Sequence, residues 1–400
     1  MKTHDVAIVG GGPIGGYVAG EIAQAGYDVV VFEEHKQAGA PRKCAGLVTP
    51  RTLDFFSFST SNIIQNEIYG ANIHSPSGKT LSIGGDKLHA YAIDRPRLDA
   101  AIISRAGTGG ADVLFDHNVL TAQRATNGVV VTSKHKNTTK QIICNLVIGA
   151  DGAHSKIRDI FHFPQPAETL IGMGAEVTNT RLDPKYVELF VGNKVAPGFF
   201  AWVIPITEDG TKARIGLCTL TTVNQSVKYY FSHLFKHRLV SPFLQKAKVT
   251  NYIAGSIPLG LLKKTVDTNV MLVGDAAAQV KPTSGGGVYT GLSCARYCSA
   301  VAVEALSKKI FTNQFLKKYQ KAWVDDLGRE LLWGMRFRTI FKNLTDRHLD
   351  KYFEKINDEK ILEAVNEHGD IDYPSKLIMP LLKKTPSLLK LLVHYKNMAF

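Results

Sequence analysis

Three glycines, Gly10, Gly12 and Gly15, stand in a G-x-G-x-x-G spacing, and a carboxylate, Glu33, comes eighteen residues after the last of them. Glycine at those positions permits a tight turn. It also lets a pyrophosphate approach backbone N–H groups at a helix N-terminus, where the helix dipole favours negative charge. A carboxylate at the end of the next strand can accept hydrogen bonds from ribose hydroxyls. Two later stretches narrow the choice of dinucleotide. IGADGAHSKIR supplies Asp151, Gly152, Ser155 and Arg158, and NVMLVGDAAAQVKPTSGGGVYTGL supplies Gly274, Asp275 and the run Gly285, Gly286, Gly287 ahead of a helix. An aspartate at a strand end can hold ribityl and ribose hydroxyls. A glycine-rich helix N-terminus can lie beside a flavin ring and stabilise the anion of its reduced form. FAD is the dinucleotide that uses all three motifs.

A thiol is the other reactive group. Cys44 lies in the loop-like stretch PRKCAGL, where it is open to four readings: metal ligand, half of a disulfide, catalytic group or small buried side chain. The five cysteines, Cys44, Cys144, Cys218, Cys294 and Cys298, are odd in number, scattered and without a CxxC pair. That pattern suggests neither a disulfide framework nor a zinc site, and a reducing cytoplasm is expected. No metal is expected.

These groups need elements to position them. Residues 5–33 read as strand, glycine turn, helix and strand, the opening of a βαβ unit. Residues from about 66 to 92 and 170 to 255 alternate apolar and polar between Gly, Pro and Asn, which predicts antiparallel strands sharing one sheet. RPRLDAAIISRAG predicts a helix between those blocks, and LVIGADGAHSKIR a strand, turn and helix. RAGTGGADV, residues 105–113, imitates a second dinucleotide loop but lacks its last glycine; it predicts a turn and no separate NAD(P) domain. Cys294 and Cys298, four apart on a predicted helix, read as packing residues. After Gly287 the pattern is mostly helical, with breaks at Pro374, Pro380 and Pro386.

With 400 residues, 44% of them hydrophobic, the chain can bury a large core. Met1 leads almost directly into DVAIVGGG without a leader of secretory type, and no apolar run approaches the ~18 residues of a membrane span. The formal charge of +13 suits nucleic acid, an anionic membrane or acidic ligands equally. The last thirty residues hold five lysines against one aspartate among leucines at helical spacing, an amphipathic helix that packs on the body or meets a membrane surface.

Together the glycine and aspartate motifs resemble the flavoprotein superfamily of aromatic hydroxylases, the p-hydroxybenzoate hydroxylase fold. The finer resemblance, over residues 1 to 300, is to its geranylgeranyl reductase family. PRKCAGL is similar to that family's P-x-x-C loop. FAWVIP, Phe200 to Pro205, is similar to its aromatic-x-Trp-x-aromatic-Pro stretch, with Ile204 replacing an aromatic and Phe200 a common tyrosine. The resemblance implies an α/β (α+β) protein. A Rossmann-type FAD-binding domain (1–65, 93–169, 256–300) would interleave with an antiparallel-sheet substrate domain (66–92, 170–255), continuing into a C-terminal helical region (301–400).

Carried over residue by residue, the resemblance implies FAD contacts at Gly15, Glu33, Cys44, Ala45, Arg95, Val119, Asp275, Gly287 and Val288. Gly10, Gly12, Asp151 and Gly286 join them from the motifs, and Arg42 from the cysteine loop. Lys281 stands where the family often has aspartate and is expected to face solvent. Phe200, Trp202 and Pro205 are the implied substrate residues, Trp202 being either a core residue or a stabiliser of developing positive charge. Cys44 is implied at the flavin as the candidate catalytic residue. The implied activity is reduction of geranylgeranyl chains of archaeal-type lipids, with NAD(P)H or a ferredoxin as reductant and no nucleic acid. The protein is expected to be cytoplasmic, with a peripheral membrane contact. A flavin monooxygenase and a non-catalytic prenyl-binding protein are the alternatives.

Overall fold

In a computed structural model, which describes residues 2–377 and 380, the apolar runs that open the chain become strands Lys2–Val9 and Val29–Phe32. They pair in parallel, Val6 opposite Val29 and Val9 opposite Phe32. Both are buried along the paired stretch, as parallel strands covered on two faces must be. Strand Thr138–Gly149 lies on the other side of Lys2–Val9, and Val270–Leu272 beyond it; Asp112–Leu114 flanks Val29–Phe32. Register aligns the strand ends: Val9 stands opposite both Phe32 and Gly149, and Gly149 opposite Leu272. Gly10, Glu33, Asp151 and Asp275 therefore all emerge at the carboxyl ends of neighbouring strands, where open α/β sheets bind ligands.

The first half of Thr138–Gly149 also carries an antiparallel hairpin, Asn118–Ala125 and Gly128–His135, which the sequence reading leaves unassigned. Helices Pro13–Gln24, Arg95–Thr108 and Val288–Lys308 complete this unit with Asn313–Trp323. The 105–113 stretch is the end of one helix and the turn into strand Asp112–Leu114.

The chain divides into two compact units. Within the described residues, one takes in residues up to 42, 94–169 and 256–332; the other holds 43–93, 170–255 and those from 333 on. This division differs from the sequence expectation at residues 43–65, at 301–332 and from 333 on, where the described residues join the second unit and form no separate region. Residues 43–65 cluster with the second unit because Leu47–Val48 and Ile64–Ile68 both pair with Ala90–Ile93 in a small sheet. Residues 301–332 stay with the first because Val288–Lys308 continues as one helix and the next buries Tyr319 and Trp323.

The second unit is built on a sheet in the order Lys248–Leu259, Glu168–Thr178, Lys212–Leu220, Phe200–Pro205, Tyr186–Val191, Gly70–His74, Thr80–Gly84. The two predicted strand blocks do share it, but not wholly antiparallel: Gly70–His74 and Tyr186–Val191 run in parallel. A parallel pair needs a long crossover, and the intervening chain passes through the first unit. Helices Val227–Leu234 and Ser241–Leu244 cover one face through Phe231, Leu234 and Leu244. On the other, Leu344, just ahead of helix Asp346–Ile356, and Leu349 and Phe353 within that helix pack on Leu81, Val191 and Phe200. Pro374 opens a short 3-10 turn. Pro386 and nearly all of the lysine-rich end lie outside the described residues.

Candidate cofactor site and substrate face

The three glycines of the first motif do three different things. Gly10 has φ +105°, and a Cβ there would overlap the Ala150 carbonyl. Gly15 is pressed against the Gly10 carbonyl oxygen, so a side chain would force the helix off the turn. Gly12, by contrast, faces open space and caps helix Pro13–Gln24 without any side-chain hydrogen bond. First-turn N–H groups at such a terminus are donors in search of an anion. Glu33, buried at the end of its strand, accepts from the Gly11 N–H (2.7 Å), the His35 N–H (2.9 Å) and the His35 ring. A carboxylate offers about four acceptor positions, so one remains for a hydroxyl.

A second helix N-terminus converges on the first. Helix Val288–Lys308 starts after Gly287, again without a side-chain cap. Ile14, in the first turn of the glycine helix, nests between Gly274 and Gly291; added Cβ atoms would stand 3.1 and 2.7 Å from it. Asp275 lies in the 3-10 turn Gly274–Ala277, its Oδ1 2.9 Å from where a Gly287 Cβ would be. Burial pushes its carboxyl up to about 6, opposed by the nearby positive charge of Arg95. Arg95 is held by Asp99 through bonds of 3.0 to 3.2 Å; burial raises the Asp99 carboxyl, and Arg95 pulls it back.

Gln279 and Tyr319, which sequence reasoning missed, hold this turn. Gln279 accepts from the Gly274 N–H and donates to the Tyr319 hydroxyl, which donates to the Leu272 carbonyl, each at 2.8 Å. No local spacing links Tyr319 to Asp275; only tertiary packing does.

The other expected residues have the following surroundings. Asp151 accepts from the Ser155 hydroxyl with one oxygen and from the Ile157 N–H (3.1 Å) with the other, and burial raises its carboxyl. Val119 is a core residue whose carbonyl accepts from Lys156. Lys281, expected in solvent, is only 8% exposed, packed against Gly286 in a loop closed by the Lys281 N–H to Gly286 carbonyl bond (3.1 Å). Gly286 and Val288 flank Gly287 at the helix start, and Arg42 is half-buried at the end of the first unit's opening segment.

In the second unit, Cys44 is half-buried and its Sγ accepts from the Gly46 N–H at 3.3 Å. Ala45 packs with Trp202 and Ile204 on the sheet. Across that face Leu81, Ile73, Leu189, Trp202, Gly216 and Gly174 stand in register. The Trp202 indole lies over Gly216, whose Cβ would come within 2.5 Å of it; the Cys218 thiol leans over Gly172 in the same way. Phe200 meets Trp202 edge-on at 6.1 Å. Strand alternation places Pro205 with Ala201 and Val203, on the face opposite Trp202, and its carbonyl accepts from Asn66. Cys294 and Cys298 are fully buried. Among the described residues no group of three or more His, Cys, Asp or Glu is placed to hold a metal ion.

The family model for the FAD binding domain matches residues 3–304. The chain belongs to that family. FAD is the cofactor of this flavoprotein, and its mixed α/β architecture is that of the FAD-dependent oxidoreductases. An uncharacterized protein of Methanocaldococcus jannaschii is 31% identical over 96% of this chain and 95% of its own. Digeranylgeranylglycerophospholipid reductase 2 of Methanopyrus kandleri is 29% identical, covering 98% of each chain. A solved geranylgeranyl bacteriochlorophyll reductase-like protein of Thermoplasma acidophilum superposes with a TM-score of 0.86 at 24% identity, over 98% of this chain and 99% of that one. The p-nitrophenol 4-monooxygenase of Pseudomonas putida shares the fold at 17% identity, with a TM-score of 0.70 over 94% of this chain and 99% of that one.

The residues of the flavoprotein fit that cofactor. An open glycine and two uncapped helix termini offer backbone donors to a pyrophosphate. Glu33 keeps an acceptor for a ribose hydroxyl, and an enclosed carboxyl at Asp275 gains from hydroxyl donors.

Proposed function

We propose that this flavoprotein saturates the isoprenoid double bonds of geranylgeranyl chains in archaeal-type membrane glycerolipids. The observation that carries this reading is the match, along essentially the whole chain, to proteins named digeranylgeranylglycerophospholipid reductase. FAD in its reduced form supplies the hydride. Gly12 and the helix start at Gly287 hold its charged and redox-active ends, and Glu33 and Asp275 take its hydroxyls.

Phe200 and Trp202 form part of an apolar face that receives the polyprenyl tail. An isolated alkene is a poor hydride acceptor, so the site must fix the double bond at near-attack distance, exclude water and deliver a proton. Cys44 borders and orients the alkene. We assign protonation of the second carbon to water or another group and not to the thiol. Electrons arrive from NAD(P)H or a ferredoxin. No described helix is long and apolar enough to cross a membrane; we place the protein in the cytoplasm, in peripheral contact with the membrane that holds its substrate.

Anaerobic incubation of chemically reduced holoenzyme with a geranylgeranylated glycerolipid, read by mass spectrometry, tests the reading. The expected product gains two hydrogens per double bond. An unchanged lipid without air, together with an oxygenated product in air, would replace the reductase by a monooxygenase.

A further inference from the structure

We infer that Arg214 is a positioning residue that sets where Cys44 stands, by clamping the loop that carries it to the sheet. The inference rests on the reading of Cys44 as the residue bordering the alkene. Arg214 is 2% exposed, an expensive place for a guanidinium unless every donor is used. Its Nε donates to Glu176 Oε1 at 3.0 Å and its Nη2 to Gln65 Oε1 at 2.6 Å. Its Nη1 donates to two backbone carbonyls, Ala45 at 2.9 Å and Ile93 at 2.8 Å. An ion pair serving the sheet alone would need only Glu176, which stands directly opposite Arg214 on the neighbouring strand. The remaining edge of the fork is turned to the cysteine loop.

Gly46 makes that approach possible. Its φ of +68° is a backbone state other residues rarely adopt, and a Cβ there would stand 2.5 Å from Arg214 Nη1 and 2.6 Å from the Ile93 carbonyl oxygen. The Gly46 carbonyl in turn accepts from the Ile93 N–H at 2.7 Å. Arg214, Ile93 and the loop thus close a ring of hydrogen bonds around residues 45 and 46. On the other side of the cysteine, the Lys43 carbonyl oxygen lies 3.1 Å from where a Gly255 Cβ would be. The chain is held directly after Cys44 and passes close to Gly255 before it, and the Gly46 N–H that steers its sulfur belongs to the clamped residue. Lysine cannot replace the clamp: a point charge with rotatable donors does not span Glu176, Gln65 and two carbonyls at once.

Removing Arg214 alone takes the cation from beside the Glu176 carboxylate, so the test uses Arg214→Met together with Glu176→Gln, beside Arg214→Lys. Cys44 is the one half-buried thiol of the five; the others are buried. Alkylation of the holoenzyme by a small thiol reagent, read by peptide mass spectrometry, therefore reports on Cys44. With the clamp gone, the loop opens locally, and Cys44 is expected to react about tenfold faster in both variants while the flavin spectrum is retained. Lipid turnover should fall, or the pattern of saturated bonds change. Adding the pair of substitutions to Cys44→Ala should cost no further rate, since coupled residues are non-additive. Alkylation at the wild-type rate in folded variants, or fully additive losses, would overturn the inference. If Cys44→Ala alone changed neither rate nor products, the reading of Cys44 would fail; the alkylation rates would still decide whether Arg214 places the thiol.

Discussion

Asp275 and Cys44 are the two side chains whose chemistry can be tested one atom at a time. Asp275 has an ordinary carboxyl value of 3.8, pushed up to about 6 in the folded chain by burial. Below the lower value both folded and unfolded chains hold the proton. Between the two only the folded chain does, so the stability this group lends is full at low pH and lost as pH rises through about 6. At about 1.4 kcal/mol per pH unit, the apoprotein above that point is less stable by on the order of 3 kcal/mol. Asp275→Asn is therefore expected to raise the apoprotein melting temperature at pH 7.5 and to leave it near wild type at pH 4. Hydroxyl donors of the cofactor favour the ionised form, so the same change should weaken FAD binding roughly tenfold. Thermal melts across pH and flavin titration check both halves; a wild-type melting profile at every pH would refute the enclosed-carboxyl account. For Cys44→Ala we expect full FAD retention with slower reduction or altered choice of double bond. An unchanged rate and product pattern would remove the thiol from the mechanism.

At the scale of elements, the glycine turn separates binding from folding. Gly12→Ala places a methyl in open space where a phosphate must come, whereas Gly15→Ala drives one into the Gly10 carbonyl. The first variant should fold with a near-normal melting temperature and lose flavin during purification. The second should be destabilised by several kcal/mol, in the range of severe overpacking and strain. Equal flavin loss with equal destabilisation would mean the two glycines do the same job. The turn was legible in the sequence because strand, turn and helix succeed one another within thirty residues and carry their own punctuation. So were Glu33 and Asp275, each just past an apolar strand. The features that were not legible depend on contacts between distant segments. Pro205 belongs to the aromatic stretch by sequence but to the opposite face by alternation. The parallel pairing of Gly70–His74 with Tyr186–Val191 is fixed by a crossover through the other unit. Gly172 and Gly216 matter because Cys218 and Trp202 lean across to them from neighbouring strands.

At the scale of the whole molecule, net charge becomes informative once its placement is known. Between Asp209 and Asp267 the chain contains no acidic residue. In the part of this stretch that belongs to the second unit, Lys228, Lys236, Arg238, Lys246 and Lys248 are exposed, and none pairs with a carboxylate among the described residues. Tyr229 and Tyr252 are exposed beside them, Tyr252 by 66%, with Tyr252 packed edge-on to Phe231 of the covering helix. Lysines interleaved with exposed tyrosines suit the headgroup layer of an anionic bilayer, where each cation near the surface contributes about 1 kcal/mol. The holoprotein is therefore expected to sediment with vesicles of anionic phospholipid at low salt, and to be released as ionic strength shortens the screening length. Replacing Lys228, Lys236 and Lys246 by Glu should lower vesicle binding by at least tenfold, since reversal of three charges exceeds the ~1.4 kcal/mol that a factor of ten requires. Turnover of detergent-dispersed lipid should be preserved, because these side chains lie outside the residues proposed to touch cofactor or alkene. Wild-type vesicle binding by the reversed variant, or equal binding to zwitterionic vesicles in high salt, would remove this surface from the membrane contact and shift attention to the lysine-rich C-terminal segment.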